Sequence, residues 1–370
     1  MIKRLRIISY FRVISFLLLL FTLFVGDSAW GVNSVDSQKS KTPFAFDDDI
    51  AEIRTKIAAN SYDFKVSSNW VVQLSQNLRE GMRFRRYPGS VIRRLRERKL
   101  SDSLGSLLGQ PLPSSFDLRN VGSGRSYIGP VRQQGSCGAC YAFGACAAAE
   151  GAYNLATGSC DQNCVDFSEA FIAFCLDPFY TGFDGCRGSD YEYEELEALV
   201  KYGVCYEKQL PYNPAHRSCT SGLDMPTVHF TSWHRLPCND VLAIKAAIYH
   251  FGVVDVAVAT NSAFDAYASG IYEDTKTDCI DPGSGVCYYA PTDHVAALVG
   301  WDDNGGDGYW ILRNSWGSEW GEAGYMRIKY NSAHVACAAC YLTFTPKKPL
   351  LPQPRPVSVV TPWLKLLLDD

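Results

Sequence analysis

The stretch Pro130-Val131-Arg132-Gln133-Gln134-Gly135-Ser136-Cys137-Gly138-Ala139-Cys140-Tyr141-Ala142-Phe143 runs from a glycine-punctuated loop into alanine-rich sequence. The alanines favour a helix that ends near Gly158. Cys140 then falls at the helix N-terminus, where unpaired N–H groups and the positive end of the helix dipole favour negative charge. A cysteine so placed is expected to ionise, and the thiolate is the nucleophilic form of the side chain. The plain alternative is a buried disulfide cysteine, so the chemical reading depends on partners elsewhere in the chain.

A thiolate attacking an amide carbonyl needs a neighbour that can later protonate the leaving amine, and imidazole suits that task near neutral pH. There are six histidines. His294, in Pro291-Thr292-Asp293-His294, opens the apolar run Val295-Ala296-Ala297-Leu298-Val299-Gly300-Trp301, which reads as a strand and so fixes its backbone. Further on, Tyr309-Trp310-Ile311-Leu312-Arg313-Asn314-Ser315-Trp316-Gly317 supplies an asparagine that can accept an imidazole N–H, with indoles to shield that bond from water. Alone, His294 would read as structural and Asn314 as part of a turn.

The surroundings are those of an exported globular protein. At 47% hydrophobic and 13% aromatic the chain can bury one or two sizeable cores. Residues 1–31 read as a signal peptide: Lys3, Arg4, Arg6 and Arg12 precede an apolar run, Val13 to Val25, and small residues follow at Ala29 and Gly31. That run is short of the roughly 20 residues a spanning helix needs, so no stable membrane insertion is expected. Fourteen cysteines behind an export signal imply an oxidising compartment. If Cys140 is kept reduced, the remainder is odd, and Cys146 among small residues is the candidate for a second thiol.

Charge divides the chain. The balance is +3 over residues 1–31, +5 over 32–111 and −12 over 112–370, a net −4 that gives no reason to expect a nucleic-acid partner. Residues 32–111 read as a pro-segment, with a helical pattern over Ile50 to Ala59. A second stripe follows at Trp70, Leu74, Leu78 and Met82, then a basic run from Arg83 to Lys99. Composition changes near Pro111-Leu112-Pro113, where the mature body, 112–346, is expected to begin. Its first half carries helical spacing, as at Glu192 to Tyr202. Its second half carries strands at Val254 to Val258, Val295 to Trp301, Tyr309 to Arg313 and Tyr325 to Tyr330, so two subdomains with a cleft between them are expected. Residues 347–370 form a proline-rich tail.

Together the Cys, His and Asn stretches resemble a papain-family cysteine protease, nearest to the cathepsin B and cathepsin C branches. The resemblance runs from Leu112-Pro113-Ser114-Ser115-Phe116-Asp117 to Phe344. It includes Phe167-Ser168-Glu169 through Cys175, Gly185-Cys186-Arg187-Gly188, and Phe264 through Gly270-Ile271-Tyr272. It implies an α+β fold, with a helical half and an antiparallel, barrel-like half flanking an active-site cleft. It also implies Cys140 as nucleophile, His294 as base and acid, and Asn314 as the residue that orients the imidazole. Gln134 would donate its side chain to an oxyanion hole together with the Cys140 backbone N–H. Gly188, Ser189, Asp293 and Trp316 are the implied substrate contacts, and Cys137–Cys186 and Cys175–Cys219 the implied disulfides. Among the other cysteines, proximity in sequence suggests Cys160 with Cys164 and Cys279 with Cys287. The resemblance implies no metal and no cofactor.

Four residues depart from the family pattern: Tyr141 for Trp, Ser189 for a second Gly, Ala170 for Gln, and Asp293 for Asn, none of which removes a catalytic group. No occluding insertion with paired histidines lies between Gly188 and Tyr212. The resemblance therefore implies a thiol endopeptidase made as a zymogen, secreted or sent to a lysosome or vacuole. It would act on peptides and proteins and be inhibited by its own pro-segment. A dipeptidyl peptidase of the cathepsin C kind and a catalytically silent binding protein are the alternatives.

Overall fold

The computed structural model describes residues 41–83, 102–158, 160–161, 163–176, 183–189, 193–215, 219, 227–279, 292–303 and 306–346. The apolar leader at 1–31, the basic run after Arg83, the tail at 347–370 and Cys287 lie outside the described residues.

The N-terminal segment begins with α1 (Ile50–Asn60), which Asp49 caps by accepting the Glu52 N–H at 2.8 Å. β1 (Phe64–Val66), a short α2 (Gln76–Gly81) and α3 (Asp102–Leu107) follow. The expected stripe along one helix from Trp70 to Met82 does not form. The chain turns before Ser75, and Leu78 points to solvent from α2. Asn69 fixes the turn that follows it, its side-chain oxygen accepting the N–H groups of Val71 and Val72. Trp70 and Met82 still pack inward, from different stretches of backbone.

In the body come β2 (Ser115–Asp117), α4 (Cys140–Thr157), α5 (Glu194–Tyr202), β3 (Ser232–Arg235), α6 (Val241–Phe251), β4 (Val254–Val258), α7 (Ser262–Asp265) and β5 (Tyr267–Tyr272). β6 (His294–Asp302), β7 (Tyr309–Arg313), β8 (Tyr325–Lys329) and β9 (Ala339–Thr343) complete it. The class is α+β, as expected. The expected barrel-like half is a sheet that is not closed and that is mixed, with all but one of its strand pairs antiparallel. The strands make one open sheet in the order β1-β5-β8-β7-β6-β4-β9-β3, with β2 paired to β6 off that path, and β5 runs parallel to β8. The edge that β5 would expose is covered by β1 of the N-terminal segment, with Phe64 opposite Gly270.

α4 is buried along almost its whole length and ends at Gly158 in the left-handed conformation, where its alanine-rich sequence predicted. Small residues let it lie directly on the sheet. A Cβ at Gly144 would stand 2.2 Å from Asp255 Oδ1 and 2.4 Å from Val295 Cγ1. β4 is consequently buried on both faces, although its sequence alternates. Two cores result. One joins the sheet to Ile53, Phe64, Val71 and Met82 of the N-terminal segment and contains Trp310, Trp316 and Trp320. The other gathers α4, α5 and the π-helical turn Phe171–Cys175, and takes in Val295 at the start of β6. Cys140 belongs to the second core and Trp316 to the first, so the predicted site lies where the two meet.

Candidate active site

Cys140 is the first residue of α4 and is fully buried. Its sulfur is hydrogen-bonded by the backbone N–H groups of Val295 and Tyr141. The first of these bonds ties the helix start to the residue that follows His294. His294 opens β6 opposite Val258 of β4, so strand pairing sets its backbone. Its Nε2 lies 2.8 Å from Asn314 Oδ1, which also accepts the Ser315 N–H at 2.8 Å. Because a backbone N–H can only donate, Oδ1 is an acceptor, and Nε2 must carry the proton. In the neutral ring Nδ1 then holds a bare lone pair. Nδ1 is buried and has no hydrogen-bond partner among the described residues. The Trp316 ring covers the imidazole, with ring centres 4.7 Å apart. The imidazole thus has a fixed tautomer and a shielded bond to Asn314.

Gln134 is completely buried. Ser315 Oγ donates to its Oε1 at 2.5 Å, which orients the amide, and its Nε2 donates at 2.7 Å both to the Cys137 carbonyl and to the Met82 carbonyl. The second acceptor comes from the N-terminal segment, so the donor suited to an oxyanion is occupied by that segment's backbone oxygen. The chain continues at contact distance: a Cβ at Gly138 would stand 2.7 Å from the Arg83 carbonyl and 2.6 Å from that of Cys186. Gly188 and Ser189 lie beside this loop, which the Cys137–Cys186 disulfide joins to the turn Gly185–Arg187. Tyr141, at the position where tryptophan is commoner, donates its hydroxyl to the Gly185 carbonyl at 3.2 Å. Asp293 is buried and accepts the Thr260 N–H at 2.7 Å, so one of its oxygens holds a loop together.

A profile described as papain family cysteine protease matches residues 112–344. The chain belongs to the papain family of cysteine proteases. Cysteine proteinase 2 of Entamoeba histolytica is 35% identical over 236 residues, covering 62% of this chain and 69% of the relative. Probable cysteine protease RD21B of Arabidopsis thaliana is 31% identical over 272 residues, 71% of this chain and 54% of the relative. The chain thus spans about half to two thirds of the length of these relatives. Digestive procathepsin L 3 of the Tenebrio molitor larval midgut superposes with a TM-score of 0.62 at 25% identity, over 80% of this chain and 88% of that one. These relatives do not single out the cathepsin B or C branch.

In this papain-family chain the expected thiolate is not what the structure holds. Burial pushes the Cys140 thiol up to about 12, against the Val295 and Tyr141 N–H groups, and the negative charges of Glu195 and Asp293 add to the rise. Burial likewise brings His294 down to about 3, against the Asn314 bond, and the Arg83 charge lowers it further. With the N-terminal segment in place, thiol and imidazole are both neutral. The helix terminus is outweighed because the site is closed to water.

Sequence reasoning passed over Asp265. It is fully buried, both its oxygens accept from Arg83 Nη2 at 2.6 Å, and Arg79 Nη1 stands 3.6 Å away. No local signal marks it, since its partners lie far off in the N-terminal segment. Cys175–Cys219 and Cys160–Cys164 are joined, whereas Cys279 bonds Cys337 and not Cys287. Tertiary contact overrides nearness in sequence here: the His334 N–H bonds the Lys276 carbonyl at 3.0 Å and draws the two loops together. Cys140, Cys146, Cys205 and Cys340 lie outside the disulfide framework, so Cys146 is not alone in remaining a thiol beside Cys140. Among the described residues no group of His, Cys, Asp or Glu is arranged to hold a metal, and no helix is long and apolar enough to cross a membrane.

Proposed function

We propose that the chain is a cysteine endopeptidase made as a zymogen, with Cys140, His294 and Asn314 as its catalytic residues. The observation that carries this reading is the fixed tautomer of His294: Nε2–H is committed to Asn314, which leaves Nδ1 free to take the Cys140 proton once the site opens. In the first step that proton moves to Nδ1 and the sulfur bonds to the substrate carbonyl carbon. The oxygen then carries the negative charge, held by Gln134 Nε2–H and the Cys140 backbone N–H. The imidazolium returns its proton to the leaving amine as the C–N bond breaks, giving a thioester. Water, deprotonated by His294, hydrolyses the thioester and restores the thiol.

Residues 32–111 act in this reading as the pro-segment, and 112–346 as the protease. Three contacts support it: Trp70 Nε1 donates to the Trp316 carbonyl at 3.0 Å, the Met82 carbonyl occupies Gln134, and Arg83 pairs with Asp265. Gly188, Ser189, Asp293 and Trp316 line the substrate path. The disulfides fit passage through the secretory pathway to the cell exterior or to a lysosome or vacuole. The test uses processed protein and peptides with blocked or free N-termini. Blocked peptides should be cut internally, and Cys140→Ser or an epoxide-type thiol inhibitor should abolish turnover. Release of successive dipeptides from free N-termini alone would favour a dipeptidyl peptidase. Inactivity of processed wild type would leave a binding protein.

A further inference from the structure

Asp265 closes α7, next to Phe264, whose ring centre lies 6.4 Å from that of His294 and 5.8 Å from that of Trp316. Among the described residues its ion pairs are with Arg83 and Arg79, both from the N-terminal segment. Arg83 also directly follows Met82, whose carbonyl holds Gln134 Nε2. Two consecutive residues thus set a backbone carbonyl on the oxyanion donor and a guanidinium on a buried carboxylate. The charge of that guanidinium is also felt at His294.

Removal of the segment would strip Asp265 of both cations. A carboxylate enclosed by protein and left without a counter-charge is strongly disfavoured, and a charge-assisted bond from an incoming cation restores what was lost. An aliphatic side chain in the same place would keep water out and leave the charge unmatched. Resting on the proteolytic reading above, we propose that Asp265 forms the floor of a subsite that selects an arginine or lysine side chain adjoining the scissile bond. Arg83 fills that subsite in the uncleaved chain.

The experiment compares processed wild type, Asp265→Asn and Asp265→Glu on paired peptides that differ only in arginine or norleucine at each position flanking the cut, with products mapped by mass spectrometry. The readout is the ratio of kcat/KM for the two peptides within one preparation, which does not depend on how much of a variant has folded. Wild type should favour the basic peptide about tenfold or more at one adjoining position. The ratio should fall close to unity in Asp265→Asn and recover in Asp265→Glu. Hydrolysis by wild type without basic preference at either adjoining position, or a preference undiminished in Asp265→Asn, overturns the inference and leaves proteolysis standing. Failure of processed wild type to cut any peptide overturns the proteolytic reading itself, and the inference with it.

Discussion

Excision of the N-terminal segment should shift the titration of His294 by several pH units. With the segment in place the imidazole is enclosed beside Arg83 and its pKa is about 3, whereas an open imidazole titrates near ~6.5. A lowered pKa means that the closed state binds fewer protons, so between these two values release of the segment takes up a proton. Acid therefore weakens closure, and the effect fades above the open value. At about pH 4.5 the histidine alone accounts for at most ~2.7 kcal/mol, roughly a hundredfold in the docking constant. That figure is a ceiling because the Trp316 ring still covers part of the imidazole after release. Burial raises Asp265 from its ordinary value against the pull of Arg83, so its protonation also changes when Arg83 leaves. The histidine resonance is therefore the readout, not overall affinity. Histidine-labelled Cys140→Ser chain, inert toward itself, would be titrated by NMR before and after excision of residues 32–111, with His294 assigned by its loss in His294→Ala. Equal pKa values in the two forms would refute the coupling.

Three substitutions probe other links. Gln134→Ala should lower kcat of the processed enzyme about 10²–10³-fold through loss of an oxyanion donor, with a smaller effect on KM, and an unchanged kcat would remove Gln134 from that role. Gly144→Ala places a methyl 2.2 Å from Asp255 Oδ1 and 2.4 Å from Val295 Cγ1. It should cost about 1–3 kcal/mol, seen as a lowered Tm, and an unaltered Tm would mean that the helix has room to move off the sheet. Trp70→Ala in the separate segment 32–111 removes a half-buried ring and its bond to the Trp316 carbonyl. Inhibition of the processed enzyme at neutral pH should weaken by a factor of ten or more, about 1.4 kcal/mol, and an unchanged inhibition constant would exclude Trp70 as an anchor.

The sequence by itself determined the elements that bear the proposed catalytic residues. An alanine-rich helix starting at Cys140, an apolar strand starting at His294 and an asparagine between strand and turn are local features, set by propensity and spacing over a few residues. The helix limits at Gly158 and the strand start at His294 follow directly from them. The tertiary structure decided what depends on distant chain. The outer edge of β5 is paired by β1, from a stretch about 200 residues earlier in the chain. Cys279 lies nearer in sequence to Cys287 yet bonds Cys337, because the loops meet in space. Asp265 finds Arg83 across 182 positions, a pairing that no local pattern encodes. The protonation of Cys140 was decided in the same way. The helix N-terminus that favours a thiolate is visible in the sequence, but the burial that outweighs it comes from both cores and the docked segment, and the free energy of a charge depends on everything packed around it.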